Sequence, residues 1–255
     1  MTKFGAFADV HYAKNVTIGK RYCDLSLVRL KNIVHDFNNR NLDFCICLGD
    51  IITSVQDFDT DKLNIKRISD EFINFNMPHH IILGNHDLEA MSKSDFYTEF
   101  EKDLKCTYYS FSYDNIKFII LDANYLSDNT DYCKGNYNWT ESYICNEQII
   151  WLENELKQCN EKNVVIFAHQ NLALRMDNDE VDACVIKNYD QVTQILERCK
   201  TRITVFQGHY HDGDYQVING ITYITLKALC VSDDTSYIPR IIVTIGNDVS
   251  VEYLE

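Results

Sequence analysis

Five short stretches carry side chains able to bind a metal: Asp9-Val10-His11, Gly49-Asp50, Gly84-Asn85-His86-Asp87, the isolated His169, and Gly208-His209-Tyr210-His211. Imidazole and carboxylate donors together favour zinc, manganese or iron over calcium or magnesium. Asp9-x-His11 and His209-x-His211 each set two donors close together. A carboxylate such as Asp50 has two oxygens and is able to bridge two cations. Glycines before Asp50, Asn85 and His209 let the backbone turn sharply and approach closely. Each stretch alone has a plain structural explanation. An Asp-x-His is mostly chance, a single His is more often a hydrogen-bonded core or surface residue than a ligand, and Gly-Asn-His-Asp is also a turn with a capping Asp. Their joint occurrence, in this order and at the ends of predicted strands, is hard to explain structurally.

The elements that would position them follow from apolar periodicity. Strands are predicted at 3–8, 43–48 and 79–83, and a hairpin at 107–113 and 116–121 turned at Asp114-Asn115. Further strands are expected at 164–167, 203–206, 215–218, 221–226, 241–245 and 249–253. A helix is expected from Asp24, as its cap, to about Asn39, with Leu27, Leu30, Val34 and Phe37 on one stripe. Others are expected at 61–75, 146–156 and 189–199. Helices between strands, with a strand-rich tail, predict an α/β domain of packed sheets flanked by helices. With two prolines and no linker-like stretch, residues 1–255 read as one domain. Strand-end loops are where α/β folds build their sites, and His11, His86, His169, His209 and His211 all follow predicted strands.

This set resembles the signature of the calcineurin-like metallophosphoesterases, over Asp9 to His211 with no expected ligand missing. The resemblance implies a two-sheet β-sandwich flanked by helices and two divalent ions, manganese or iron with zinc as an alternative. It implies that one ion takes Asp9, His11, Asp50 and His211, and the other Asp50, Asn85, His169 and His209. It also implies a catalytic His86 beside the metals, oriented by Asp87. Further stretches are similar to the manganese-dependent ADP-ribose/CDP-alcohol diphosphatase branch. They are Arg21-Tyr22, the run from Phe118 through Asp122 to Ala123, Asn188-Tyr189, and the Asp212-Gly213 that extends the last motif. His11 departs from that branch, some of whose members carry Gln there.

The expected chemistry is attack of a metal-bridged hydroxide on phosphorus, with His86 protonating the leaving oxygen or stabilising its charge. Two ions outweigh Asp9, Asp50 and a hydroxide, so the centre stays locally cationic although the chain carries −14. Specificity is expected from 126–143, polar and aromatic, and from 173–187, which should overhang the site. Asn85 and His86 are expected to contact the phosphate. Tyr137 or Trp139 is a candidate to stack on a nucleobase; the alternative is that they pack the segment onto the body. The expected substrate is a small phosphate compound, a nucleotide diphosphate conjugate such as ADP-ribose. A phosphomonoesterase or a cyclic-nucleotide phosphodiesterase is the alternative. A non-enzymatic interaction scaffold on the same fold would be expected to lose metal ligands, and these are retained.

Lys and Arg are scattered, against the clustering that nucleic-acid binding needs. No apolar run approaches the ~18 residues of a membrane span. The N-terminus reads as a first strand rather than a signal peptide, so a cytoplasmic location is expected. The ten cysteines include no C-x-x-C pair and read as buried reduced thiols, with Cys45 and Cys47 sharing one face of a strand. Asn138-Trp139-Thr140 matches a glycosylation sequon, of little meaning without a secretion signal.

Overall fold

Side-chain alternation along the strands sets the layers. In β1 (Thr2–Phe7), Phe4 and Ala6 belong to one apolar cluster and Phe7 to another; in β2 (Phe44–Cys47), Phe44 and Ile46 part from Cys45 and Cys47 in the same way. Strands buried on both faces must be covered on both. In the structure, a computed structural model describing residues 1–100 and 106–255, two sheets do this face to face. The first sheet runs β13 (Val249–Leu254), β12 (Arg240–Ile245), β1, β2, β3 (His79–Ile81). The second runs β10 (Asp214–Ile218), β11 (Ile221–Thr225), β9 (Arg202–Gln207), β6 (Asn163–Phe167), β5 (Ile116–Ile120), β4 (Tyr109–Tyr113). Phe4, Phe44, Phe118, Phe167 and Phe206 fill the space between them.

Helices cover the outer faces. On the first sheet, α1 (Ser26–Asn38), α2 (Phe58–Phe72) and α3 (Lys93–Phe100) cover Phe7, Cys45 and Cys47 with Leu30, Phe37, Ile65, Phe72 and Phe96. On the second, α4 (Asn146–Lys157) and α5 (Tyr189–Arg198) cover Val164, Ile166, Ile203 and Val205 with Leu152, Val192 and Leu196. The α/β two-sheet sandwich expected from the sequence is therefore the fold observed.

Strands β1, β2 and β3 are mutually parallel, as are β5, β6, β9 and β11. Their C-terminal ends accordingly gather on one rim within each sheet. The sheets are stitched there, where Ala8 bridges Ala228 and the Leu229 N–H donates to the Ala8 carbonyl at 3.0 Å.

Local details differ from the sequence reading. A 3-10 turn (Cys23–Leu25) precedes α1, so Asp24 does not cap the helix; its carboxylate accepts the Asn15 N–H at 2.9 Å. Asp57 caps α2 by accepting the Thr60 N–H at 3.0 Å, which starts that helix ahead of the predicted residue 61. The short α3 and the two-residue strands β7 (Met176–Asp177) and β8 (Glu180–Val181) have too little periodicity to register. The Asp114-Asn115 hairpin is as expected, both residues having positive φ. All ten cysteines are unpaired; Cys45 and Cys47 are buried on one face, whereas Cys106 is exposed. No helix among the described residues is long and apolar enough to cross a membrane.

Candidate active site

The donor residues begin where the parallel strands stop. Asp9 and His11 follow β1, Asp50 follows β2, Asn85 follows β3, His169 follows β6, and His209 and His211 follow β9. The backbone turns at once: Asp9 (φ 55°), His11 (φ 49°), Asp50 (φ 50°) and His209 (φ 68°) all lie in the left-handed region. Such conformations cost of order 1–3 kcal/mol each and persist where the surroundings enforce them. Backbone bonds do so here, from Asp9 N to the Gly49 carbonyl at 3.1 Å and from His11 N to the Asp50 carbonyl at 2.7 Å. Gly84 is required by close approach, because a Cβ there would stand 2.1 Å from Asp50 N and Oδ1.

The side chains converge. Asp9, His11, Asp50, Asn85 and His169 are fully buried. Asp50 Oδ2 lies 3.3 Å from both His11 Nε2 and His169 Nε2. His11 Nε2 faces His211 Nε2 at 3.1 Å, and His211 Nε2 lies 3.6 Å from Asp9 Oδ1. His169 Nδ1 donates to the Leu48 carbonyl at 2.7 Å, which aims its Nε2 at Asn85 Oδ1, 3.2 Å away. Fixing one ring nitrogen so that the other points inward is how proteins orient metal-binding imidazoles. Thr53 Oγ1, 3.0 Å from His11 Nδ1, serves His11 likewise.

This donor set fits cations. Asp50 Oδ2 and His209 Nε2 are buried without a hydrogen-bond partner among the described residues. Potential ligand atoms of Asp50, His169 and His209 lie within 4.8 Å of one another, as do those of His11, Asp50 and His86, and of His11, His211 and Cys230. Asp50 is common to two of these groups, as a bridging carboxylate must be. Burial drives His11 and His209 well below the ordinary imidazole range, so both present lone pairs. Burial would raise Asp50, but His169, His86 and His11 outweigh it and hold the carboxyl well below its usual range. Burial opposes charge on His169 too, yet Asp50 and Asp9 hold it up at about 9, which shows how strongly the carboxylates call for positive charge.

His86 sits at the edge of the cluster, its backbone N–H donating to Asp50 Oδ1 at 2.8 Å. Asp87, expected to orient it, bonds elsewhere. Its Oδ1 accepts from Ile51 N (2.7 Å) and Ile52 N (3.1 Å), and its Oδ2 from Gly84 N (2.8 Å). Burial, with Asp50 adding to it, pushes Asp87 up to about 7 despite these donors. Asp87 thus staples the loop after β2 to the loop after β3. The group on His86 Nδ1 is Glu89, whose other oxygen accepts from Gln56 Nε2 at 2.7 Å. Arg21 Nη1 stands 3.1 Å from His86 Nε2. The sequence reading gave neither Glu89 nor Cys230 a place in the site, and used Arg21 only as a mark of resemblance. A carboxylate one helical turn after His86 was the available signal for Glu89; Cys230 had none.

The two aromatic candidates divide. Tyr137 points its hydroxyl inward, accepting from Asn85 Nδ2 at 3.1 Å, with its ring packed 5.8 Å from His86 and 6.1 Å from Tyr132. Trp139 is 42% exposed, its ring 6.0 Å from that of His209. In 173–187, Arg175 binds Asp182 (2.8 Å) and Asp214 (2.7 Å) and lies 3.4 Å over the Tyr210 ring, which fastens the β7–β8 hairpin to the His209–His211 turn.

Clustered carboxylate and imidazole donors that share one carboxylate, on the rim of a sandwich, are the equipment of two-metal phosphoester hydrolysis. The chain belongs to the calcineurin-like phosphoesterase family, which it matches over residues 2–213, and is a metal-dependent hydrolase of phosphoric esters or anhydrides. It is 26% identical over 269 residues to a manganese-dependent ADP-ribose/CDP-alcohol diphosphatase of Oryza sativa subsp. japonica, covering 88% of this chain and 82% of that one. It is 24% identical over 271 residues to the Arabidopsis thaliana protein of the same name, covering 88% and 85%. A dimetal phosphatase from Danio rerio superposes with a TM-score of 0.84 at 19% identity, over 99% of this chain and 95% of that one, and shares its fold.

Proposed function

We propose that this chain hydrolyses the phosphoanhydride of a nucleotide diphosphate conjugate, with ADP-ribose as the leading substrate and AMP and ribose 5-phosphate as products. Asp9, His11, Asp50 and His211 would hold one divalent cation, and Asp50, Asn85, His169 and His209 the other. Manganese or iron suits these donors best, and zinc is compatible. When bound, the cations supply positive charge for a phosphoryl group and the acidification of water that yields a nucleophile near neutral pH. The protein does the rest. Asp50 and Glu89 fix His86 at its backbone and at Nδ1, leaving Nε2 as the atom that, once it has taken up a proton from water, passes it to the leaving oxygen. The Asn85 amide, held by Tyr137, orients phosphate oxygens.

Trp139 carries the choice of substrate. It is an exposed indole beside His209, on a segment whose neighbour Tyr137 is anchored in the site, so an aromatic face stands where a nucleobase beyond the reacting phosphate would lie. The names of the rice and Arabidopsis relatives support the same reading. The unpaired thiols suit a reducing compartment, and we place the protein in the cytoplasm. The test is kcat/KM of manganese-loaded protein on ADP-ribose, AMP, ribose 5-phosphate and a cyclic nucleotide. ADP-ribose should be cleaved fastest. Faster cleavage of AMP or the sugar phosphate would make this a phosphomonoesterase.

A further inference from the structure

Arg21 is a cation placed at the site with no anion paired to it among the described residues. Its backbone is pinned on two sides. Ile18 and Arg21 exchange backbone hydrogen bonds at 3.0 and 2.9 Å, and the adjacent Tyr22 N–H donates to the Cys230 carbonyl at 2.8 Å. The side chain projects from this fixed turn to His86, and among the described residues the guanidinium forms no ion pair. A guanidinium carries only donors. His86 Nε2 is therefore the acceptor, and the ring proton lies on Nδ1, facing Glu89. Arg21 thus occupies the nitrogen that must meet the substrate.

A charge resting on a neutral imidazole has a better partner available. Phosphate oxygens take a guanidinium through two parallel, charge-assisted hydrogen bonds. We propose that Arg21 reads the phosphate of the substrate that is not attacked, and that binding it draws the guanidinium off His86 Nε2. This rests on the diphosphate reading above. A monoester offers one phosphate, which the donor cluster claims, and leaves Arg21 on His86. A diphosphate offers a second phosphate one bridging oxygen away, for Arg21 to take in place of His86. Selectivity for diphosphates and exposure of Nε2 then come from a single movement.

The test compares manganese-loaded wild type, Arg21→Ala and Arg21→Lys. It measures kcat/KM on ADP-ribose and on nitrophenyl phosphate, and calorimetric binding of α,β-methylene-ADP and of AMP. Arg21→Ala should lower the ADP-ribose to nitrophenyl phosphate ratio about ten- to a hundredfold, the scale of a hydrogen bond to a charged group. It should weaken α,β-methylene-ADP more than AMP. Arg21→Lys should restore part of both, since it keeps the charge and loses the fork. If wild type prefers ADP-ribose and Arg21→Ala keeps the ratio within about twofold, Arg21 does not read the second phosphate, and the diphosphate reading survives. If wild type itself prefers the monoester, the diphosphate reading falls and takes this inference with it.

Discussion

Asp50 Oδ1 accepts the His86 backbone N–H at 2.8 Å, while Oδ2 of the same carboxylate is buried without a hydrogen-bond partner among the described residues, 3.3 Å from the imidazoles of His11 and His169. One side chain therefore holds the His86 turn and faces both donor groups. Asp50→Ala is expected to lose both cations by elemental analysis. Asp50→Asn keeps an oxygen for the His86 N–H, so it should unfold closer to wild type while still losing metal. Full occupancy in Asp50→Ala would exclude a shared ligand.

For His86, the expectation is intact metal binding and lost turnover in His86→Ala, by the ~10²–10⁴-fold typical of general acid catalysis. A nitrophenyl leaving group needs little protonation, so its loss should be smaller than that of ADP-ribose. Glu89→Gln should follow the same pattern more weakly, because it removes the negative charge facing His86 Nδ1 without removing the ring. Equal losses on good and poor leaving groups would mean that His86 only positions phosphate.

Trp139→Ala should weaken nucleotide substrates by the ~1–3 kcal/mol of a base–aromatic stack, roughly ten- to a hundredfold in kcat/KM. Its exposure means that the fold has little to lose. Tyr137→Phe should instead lower kcat on all substrates, since it removes the hydroxyl that holds Asn85 and stands 3.4 Å from His86 Nδ1. If Trp139→Ala leaves ADP-ribose untouched, the base is not read there.

A pH effect on stability is expected from His80, which lies in β3 and packs between aromatic rings. It stacks on Phe111 (4.6 Å, 8°), meets Phe44 edge-on, and shares a 2.8 Å hydrogen bond at Nδ1 with the Tyr109 hydroxyl. Burial, with His79 adding to it, lowers His80 to about 4 from an ordinary 6.5. The unfolded chain then binds more protons between these values, so stability rises with pH across about 4 to 6.5 and is lost as pH falls through that window. The contribution is at most about 3 kcal/mol. Denaturant titrations of metal-free wild type and His80→Phe should differ in slope by up to one proton there, and identical slopes would show that His80 titrates normally.

The sequence by itself marked the candidate donors and the strands that present them. Alternation in stretches such as Phe4–Phe7 and Phe44–Cys47 is a short-range pattern, and it marks both the buried strands and the points where they end at Asp9 and Asp50. The Asp114-Asn115 turn was legible for the same reason, because its requirement for positive φ is local. What each polar group binds was decided only by tertiary structure. Asp87 is next to His86 in sequence, yet the parallel register of β2 and β3 brings the Ile51 and Ile52 amides to its carboxylate, and buried N–H groups must be satisfied. Arg21 reaches His86 across 65 residues because the loop after β1 and the loop after β3 open on one rim, a proximity set by sheet order and invisible to any local period. Tyr137 and Trp139, two residues apart in one irregular segment, diverge for the same reason. One meets Asn85 inside the site and the other is left in water beside His209, according to where the packed sheets leave room.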